Sequence, residues 1–130
     1  MTIIDYLQIP YRHQGRDTKG ADCFGLIRIF YEQELGLLLP DFTEDYTQEW
    51  WKEKNYFIDL YRQWNFAQTS ERKRGNVILF KNTNSTPGHV GVILNDESFL
   101  HMSREGCETH SYTYGVWARQ IHSVYRHVGE

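Results

Sequence analysis

The hydrophobic pattern of this chain changes period at Gly75, and that change limits the folds open to it. After Gly75, short apolar runs succeed one another at strand length. Residues 76–80 (NVILF) form the first. Residues 82–88 (NTNSTPG) have the composition of a loop. Residues 89–94 (HVGVIL) are rich in β-branched side chains and read as a strand. Asn95, Asp96 and Glu97 make a tight turn, and residues 98–102 return as the second arm of a hairpin. A weaker strand covers 109–113. Residues 120–127 close the chain, with Ile121, Ser123 and Tyr125 expected on one face and Val124 on the other.

Before Gly75 the period is helical. Phe24, Ile27, Phe30 and Tyr31 share a helix face, Asp22 is a good N-cap, and Gly36 is a good stop after Leu35, which predicts a helix over 22–35. Residues 2–7 predict a shorter helix ended by Pro10. Residues 11–19 (YRHQGRDTK) read as a polar turn with Gly15 as a hinge. Leu37, Leu38 and Leu39 are expected to pack on the core. Residues 41–65 combine acids with aromatics at spacings of four, such as Tyr46 to Trp50 and Phe57 to Tyr61, and predict one or two helices. Helices first and antiparallel strands second make the class α+β.

At 130 residues the chain is long enough for one domain with a real core. The expectation is a single domain over 1–130 with an aromatic-rich helical insertion at about 41–66. With 17 acidic against 14 basic residues and a net charge of −3, bulk electrostatics does not support nucleic-acid binding. The basic cluster Arg72, Lys73, Arg74 follows Glu71 and reads as a solvated turn. Two cysteines do not make a disulfide framework, and a Cys23–Cys107 bridge depends on geometry. The opening MTIIDYLQIPYRH lacks the basic and apolar regions of a signal peptide, and no stretch is apolar enough to span a membrane.

The chemistry centres on residues 20–31 (GADCFGLIRIFY). Cys23 falls in the first turn of the predicted helix, where unpaired N–H groups and the helix dipole favour a thiolate. A buried cysteine can equally be a small hydrophobe. Nucleophilic use needs a base and a group to orient it, and histidine is the usual base. His89 opens one predicted strand and His101 lies near the end of the next, so a hairpin would bring the two together. Cys23, His89, His101, Cys107 and His110 could supply zinc ligands, but no C-x-x-C is present and no close pair matches Cys107 and His110, so no metal site is expected. No phosphate loop, H-E-x-x-H or G-x-S-x-G occurs, and no cofactor is implied.

These segments, taken in order, resemble the NlpC/P60 cysteine peptidases. D-C-F-G-L at 22–26 resembles the nucleophile segment, R-G-N-V-I-L-F at 74–80 the preceding strand, G-H-V-G-V-I-L at 88–94 the histidine strand, and F-L-H-M-S at 99–103 the segment carrying the third polar residue. Tyr11 stands upstream of Cys23 where the family often has a tyrosine. More narrowly, PYRHQGRDTKGADCFGL and the ending WARQIHSVYRH resemble the tail-assembly members found in long-tailed phages.

The resemblance implies a papain-like core, with the cysteine helix packed on an antiparallel sheet. It implies hydrolysis of an amide in peptidoglycan stem peptides, commonly of the D-γ-glutamyl to diamino-acid type. Carried over, Cys23 is the nucleophile, His89 the general base and His101 its orienting partner. Tyr11 would steady the intermediate or bind substrate, and Asp22 would face a substrate amine or serve only as a cap. The implied partners are stem peptides and tail-tip proteins. The implied location is a virion tail, made in the bacterial host cytoplasm without a signal peptide and acting in the cell wall or periplasm. A tail-tip building block with little activity is the competing implication, and acyl transfer or thioester hydrolysis by the same residues is another. Phe24 and Asn76 depart from the serine and aspartate common at their positions.

Overall fold

The structure is a computed structural model that describes residues 1–40, 61–62, 64–81 and 87–128. Most of the aromatic-rich segment expected to be helical at about 41–66 lies outside the described residues. Its end does not follow that expectation. Tyr61, Arg62, Trp64 and Asn65 form turns, and Phe66 opens a strand.

Helix α1 (Ile3–Leu7) is capped reciprocally, since Thr2 Oγ1 accepts from Asp5 N–H and the Asp5 carboxylate accepts from Thr2 N–H. Two short strands, β1 (Arg16–Asp17) and β2 (Gly20–Ala21), pair antiparallel and lead into helix α2 (Cys23–Phe30). The helix expected over 22–35 continues past Phe30 as a π-helical stretch, Tyr31–Leu35. Gly36 ends it in the left-handed conformation, at φ 66°, donating to Tyr31 O. Beyond it Leu39 is buried and Leu38 exposed, so only part of the leucine run reaches the core.

Six strands form the main sheet: β3 (Phe66–Thr69), β4 (Val77–Lys81), β5 (Pro87–Ile93), β6 (Ser98–Ser103), β7 (Gly106–Ser111) and β8 (Ile121–His127). Their order is β3-β8-β4-β5-β6-β7, and every neighbouring pair is antiparallel. The class is α+β. The sheet is covered on both faces. Val77, Leu79, Val90, Val92, Leu100, Met102 and Tyr125 join one apolar cluster with Phe24, Leu26, Ile27, Phe30 and Tyr31 of the helical layer. Ile78, Phe80, Ile93, Phe99, Tyr112 and Val124 form a second cluster, onto which Trp117 and Ile121 pack. Burial on both faces explains why residues 77–80 read as an unbroken apolar run.

One expected face is corrected by a bulge. Leu79 pairs with Ser123 but Phe80 with Ile121, so the β4–β8 register skips His122. The extra residue turns Ile121 to the side of Val124, away from Tyr125. Strand β3 and the single helical turn Gly115–Ala118 were not evident in the sequence.

Candidate active site

Asp22 builds the entrance to α2. Its Oδ1 accepts the Gly25 N–H at 2.9 Å and pairs with Arg16 Nη1 at 2.9 Å, while Oδ2 accepts the Gln14 N–H at 2.9 Å. One carboxylate therefore caps the helix and ties the preceding loop to it. The loop lies tight against the helix, because a Cβ on Gly25 would come within 2.0 Å of Gly15 O. A Cβ on Gly15 would in turn meet Gly20 O at 2.2 Å. Gly15 thus serves close packing, and the expected hinge role does not describe it. Tyr11 is held beside β2 by its bridge to Ala21, with Arg12 N–H donating to Ala21 O and Ala21 N–H to Pro10 O.

Cys23 follows at the first position of α2 and is 7 % exposed. Its sulfur contacts the backbone of Phe24 and of Val90, the residue after His89. Helix α2 packs on β5 and β6, which brings the thiol to the start of the histidine strand. Burial pushes the thiol pKa well up, and the neighbouring Asp22 carboxylate adds to that; Arg16 and the two backbone contacts oppose it. The sequence pointed to a thiolate favoured by the helix N-terminus. Burial works against that and disfavours the thiolate.

The histidines meet through strand register. Gly91 is opposite His101, and Phe99 is opposite His110. His89, His101 and His110 therefore share one face of three adjacent strands. His89 Nε2 lies 2.8 Å from His101 Nδ1, and His101 Nε2 lies 2.8 Å from His110 Nδ1. Space for this comes from Gly91, where a Cβ would stand 2.9 Å from Leu100 O and 3.3 Å from His101 Cβ. Trp117 lies over the group, with its ring 5.8 Å from His89, 4.9 Å from His101 and 5.7 Å from His110. Burial pushes the His89 pKa down to about 4. It takes His101 to about 2, with the neighbouring His89 and His110 lowering it further. Burial thus disfavours a charge on His89 and His101. His89 Nδ1 is left outside the ring-to-ring bond.

The profile of the NlpC/P60 family matches residues 8–126, nearly the whole chain and all of these elements. The chain belongs to the NlpC/P60 family. It is 27% identical over 123 residues to the murein DD-endopeptidase MepS/murein LD-carboxypeptidase of Escherichia coli K12, with 94% of this chain aligned. The chain spans 57% of the length of that relative. It is 29% identical over 127 residues to a gamma-DL-glutamyl hydrolase of Bacillus subtilis, covering 93% of this chain and 27% of that protein. It is 25% identical over 84 residues to tail tip assembly protein K of Escherichia phage N15, covering 62% of this chain and 34% of that protein. The NlpC/P60 domain of the peptidoglycan hydrolase SagA shares the fold, with a TM-score of 0.58 at 20% identity over 95% of this chain and 91% of that one. So does an NLP/P60 family protein of Staphylococcus aureus, at 0.62 and 21% over 98% of this chain and 39% of that one.

Within this NlpC/P60 fold, His89 and His101 are in contact on the sheet face that carries Phe80, Phe99 and Trp117, whereas Cys23 belongs to the cluster on the helix side of the sheet. The thiol reaches the histidine strand at the Val90 backbone, and among the described residues no hydrogen bond joins it to the His89 ring. Tyr11 is partly buried, and burial with the nearby Asp22 and Cys23 raises its phenol pKa while Arg104 opposes the rise. Asp22 is 4 % exposed and engaged by the three protein groups already named. Cys23 and Cys107 are both free thiols, so the conceivable bridge is not formed. Sequence reasoning missed Arg16, His110 and Trp117 as parts of this site. His110 had appeared only among candidate zinc ligands, and its ring contact with His101 depends on cross-strand register.

Proposed function

We propose that this NlpC/P60 chain is a phage-tail-associated peptidoglycan endopeptidase that hydrolyses stem-peptide amides of the D-γ-glutamyl to diamino-acid type, opening the wall locally. The observation that carries the reading is the 2.8 Å contact of His89 Nε2 with His101 Nδ1, one residue from the Val90 backbone that touches the Cys23 thiol. Relatives named as a murein endopeptidase and a gamma-DL-glutamyl hydrolase support the bond class, and the tail tip assembly relative supports the setting.

In this reading both partners begin neutral. As substrate seats, His89 Nδ1 takes the Cys23 proton while the sulfur attacks the amide carbonyl carbon. His101 Nδ1 accepts the His89 Nε2–H and stabilises the imidazolium that forms. The tetrahedral oxyanion faces N–H groups of the first turn of α2, with Tyr11 beside it. His89 then returns its proton to the leaving amine, and the C–N bond breaks to leave a thioester. Water, deprotonated by the same nitrogen, cleaves the thioester and restores the thiol. Asp22 acts here as a positioning residue, holding the cap and loop that place Cys23. In this reading the protein is delivered by a virion tail and acts in the wall or periplasm.

A second reading, a tail-tip building block with little activity, draws on the burial and raised pKa of Cys23 together with the tail tip relative. Purified peptidoglycan incubated with wild type or Cys23→Ala, with released peptides analysed by mass spectrometry, separates the two. New amine termini from wild type alone identify the bond and establish the hydrolase. Absence of release by both proteins, where a related enzyme works, favours the building block.

A further inference from the structure

The last two strands of the sheet place three metal-binding side chains together. His101 on β6 stands opposite Glu108 on β7, and His110 is on the same face two residues along. One ligand atom from each of His101, Glu108 and His110 lies within 4.8 Å of the other two. His101 is buried, His110 partly buried and Glu108 exposed. The closing pair is His101 Nε2 and His110 Nδ1, at 2.8 Å. A tetrahedral zinc ion holds its ligand atoms at ~2.0–2.2 Å, which sets them about 3.3 Å apart. Small ring rotations therefore turn the shared proton between these two nitrogens into a shared metal ion. Strand β7 ends the sheet, which leaves the exposed Glu108 side open for entry and for a water ligand. Trp117 packs on both rings and supplies an apolar wall.

We propose that His101, Glu108 and His110 form a binding site for a divalent transition metal, zinc by the N,N,O ligand set, and that its occupancy switches the hydrolase off. The metal half stands on the cluster alone. The switching half rests on the Cys23–His89 reading above. Hydrolysis in that reading needs a lone pair on His89 Nδ1, hence a proton on His89 Nε2 donated to His101 Nδ1. Metal on His101 Nε2 requires the proton of His101 to sit on Nδ1. That N–H must then be donated to His89 Nε2, which places the His89 proton on Nδ1, and such a ring cannot take the Cys23 proton. One proton leaves His101 Nε2 for solvent and one is taken up at His89 Nδ1, so neither ring changes charge.

The test uses the full chain, stripped with chelator and titrated with Co²⁺ followed by visible absorption, then with Zn²⁺ as competitor. The expected result is a d–d band of low-symmetry cobalt in wild type, bleached by one equivalent of zinc. Glu108→Ala should weaken zinc at least about tenfold, and His110→Ala should abolish the band. Circular dichroism checks that both variants fold, and the exposed Glu108 makes its variant the safer one. Hydrolysis with and without zinc, each protein compared with itself, should fall in wild type and be far less sensitive in Glu108→Ala. Absence of the cobalt band in wild type, or unchanged affinity in Glu108→Ala, overturns the site. A cobalt band with zinc-insensitive hydrolysis overturns the switch alone. A cobalt band in a chain that cleaves no peptidoglycan leaves the site standing and counts against the hydrolase reading instead.

Discussion

Replacing Asp22 by asparagine separates a positioning carboxylate from one that binds substrate. Asparagine caps a helix about as well as aspartate, so the Gly25 N–H keeps an acceptor at Oδ1, while the amide NH2 replaces the Oδ2 that accepted the Gln14 N–H. Also lost is the charge opposite Arg16, whose Nη1 lies 2.9 Å away with both side chains mostly buried. A charge-assisted hydrogen bond of this kind contributes about 1.5–3 kcal/mol, so Asp22→Asn should cost ~2 kcal/mol. For a chain of this size that is roughly a 6–10 °C fall in Tm. The substitution also removes the carboxylate that raises the Cys23 pKa and leaves Arg16, which lowers it. Alkylation of Cys23 by iodoacetamide, followed by intact mass across pH, should therefore extend to lower pH in the variant, while KM for a stem-peptide substrate stays near wild type. An unchanged Tm and alkylation profile with a raised KM would refute the reasoning and place Asp22 against the substrate.

Burial holds His89 near 4 and His101 near 2, below the unfolded value of about 6.5. Between those values the unfolded chain takes up protons that the folded chain does not. Stability present above pH ~6.5 is thus lost as pH falls, on the order of 3 kcal/mol from His89 by pH 4; urea midpoints should drop more steeply in wild type than in His89→Gln, and equal slopes would contradict it. Trp117→Ala should cost ~2 kcal/mol, below the range for a fully buried tryptophan, and reduce hydrolysis more than stability accounts for; Trp117→Phe should recover part of both. Gly91→Ala forces a Cβ to 2.9 Å from Leu100 O, backbone that cannot swing aside, and should cost about 1–3 kcal/mol in urea unfolding while weakening the His89–His101 contact.

Much of the site was legible because its signals are local. The Asp22 cap and the stop at Gly36 need only residues within a turn or two, and both ends of the predicted helix are found there. The pairing of His89 with His101 followed from a tight turn, since a short hairpin sets its own register. The expectation for Ile121 failed because a bulge opposite Leu79 and Phe80 belongs to the strand pair, and neither strand carries a mark of it alone. Strand β3 was hidden because Phe66–Thr69 alternates over only four residues and becomes a strand by pairing with β8.

The sequence by itself determined the change from helical to strand period, the capped cysteine helix and the order of the NlpC/P60 segments, because each is written in neighbouring residues. Only the tertiary structure decided the burial of the thiol. A helix N-terminus argues for an anion, while enclosure beside Val90 and the Asp22 carboxylate push the thiol pKa up. It also decided that His110, Glu108 and Trp117 join His101, because cross-strand neighbours are set by register and by what covers the face.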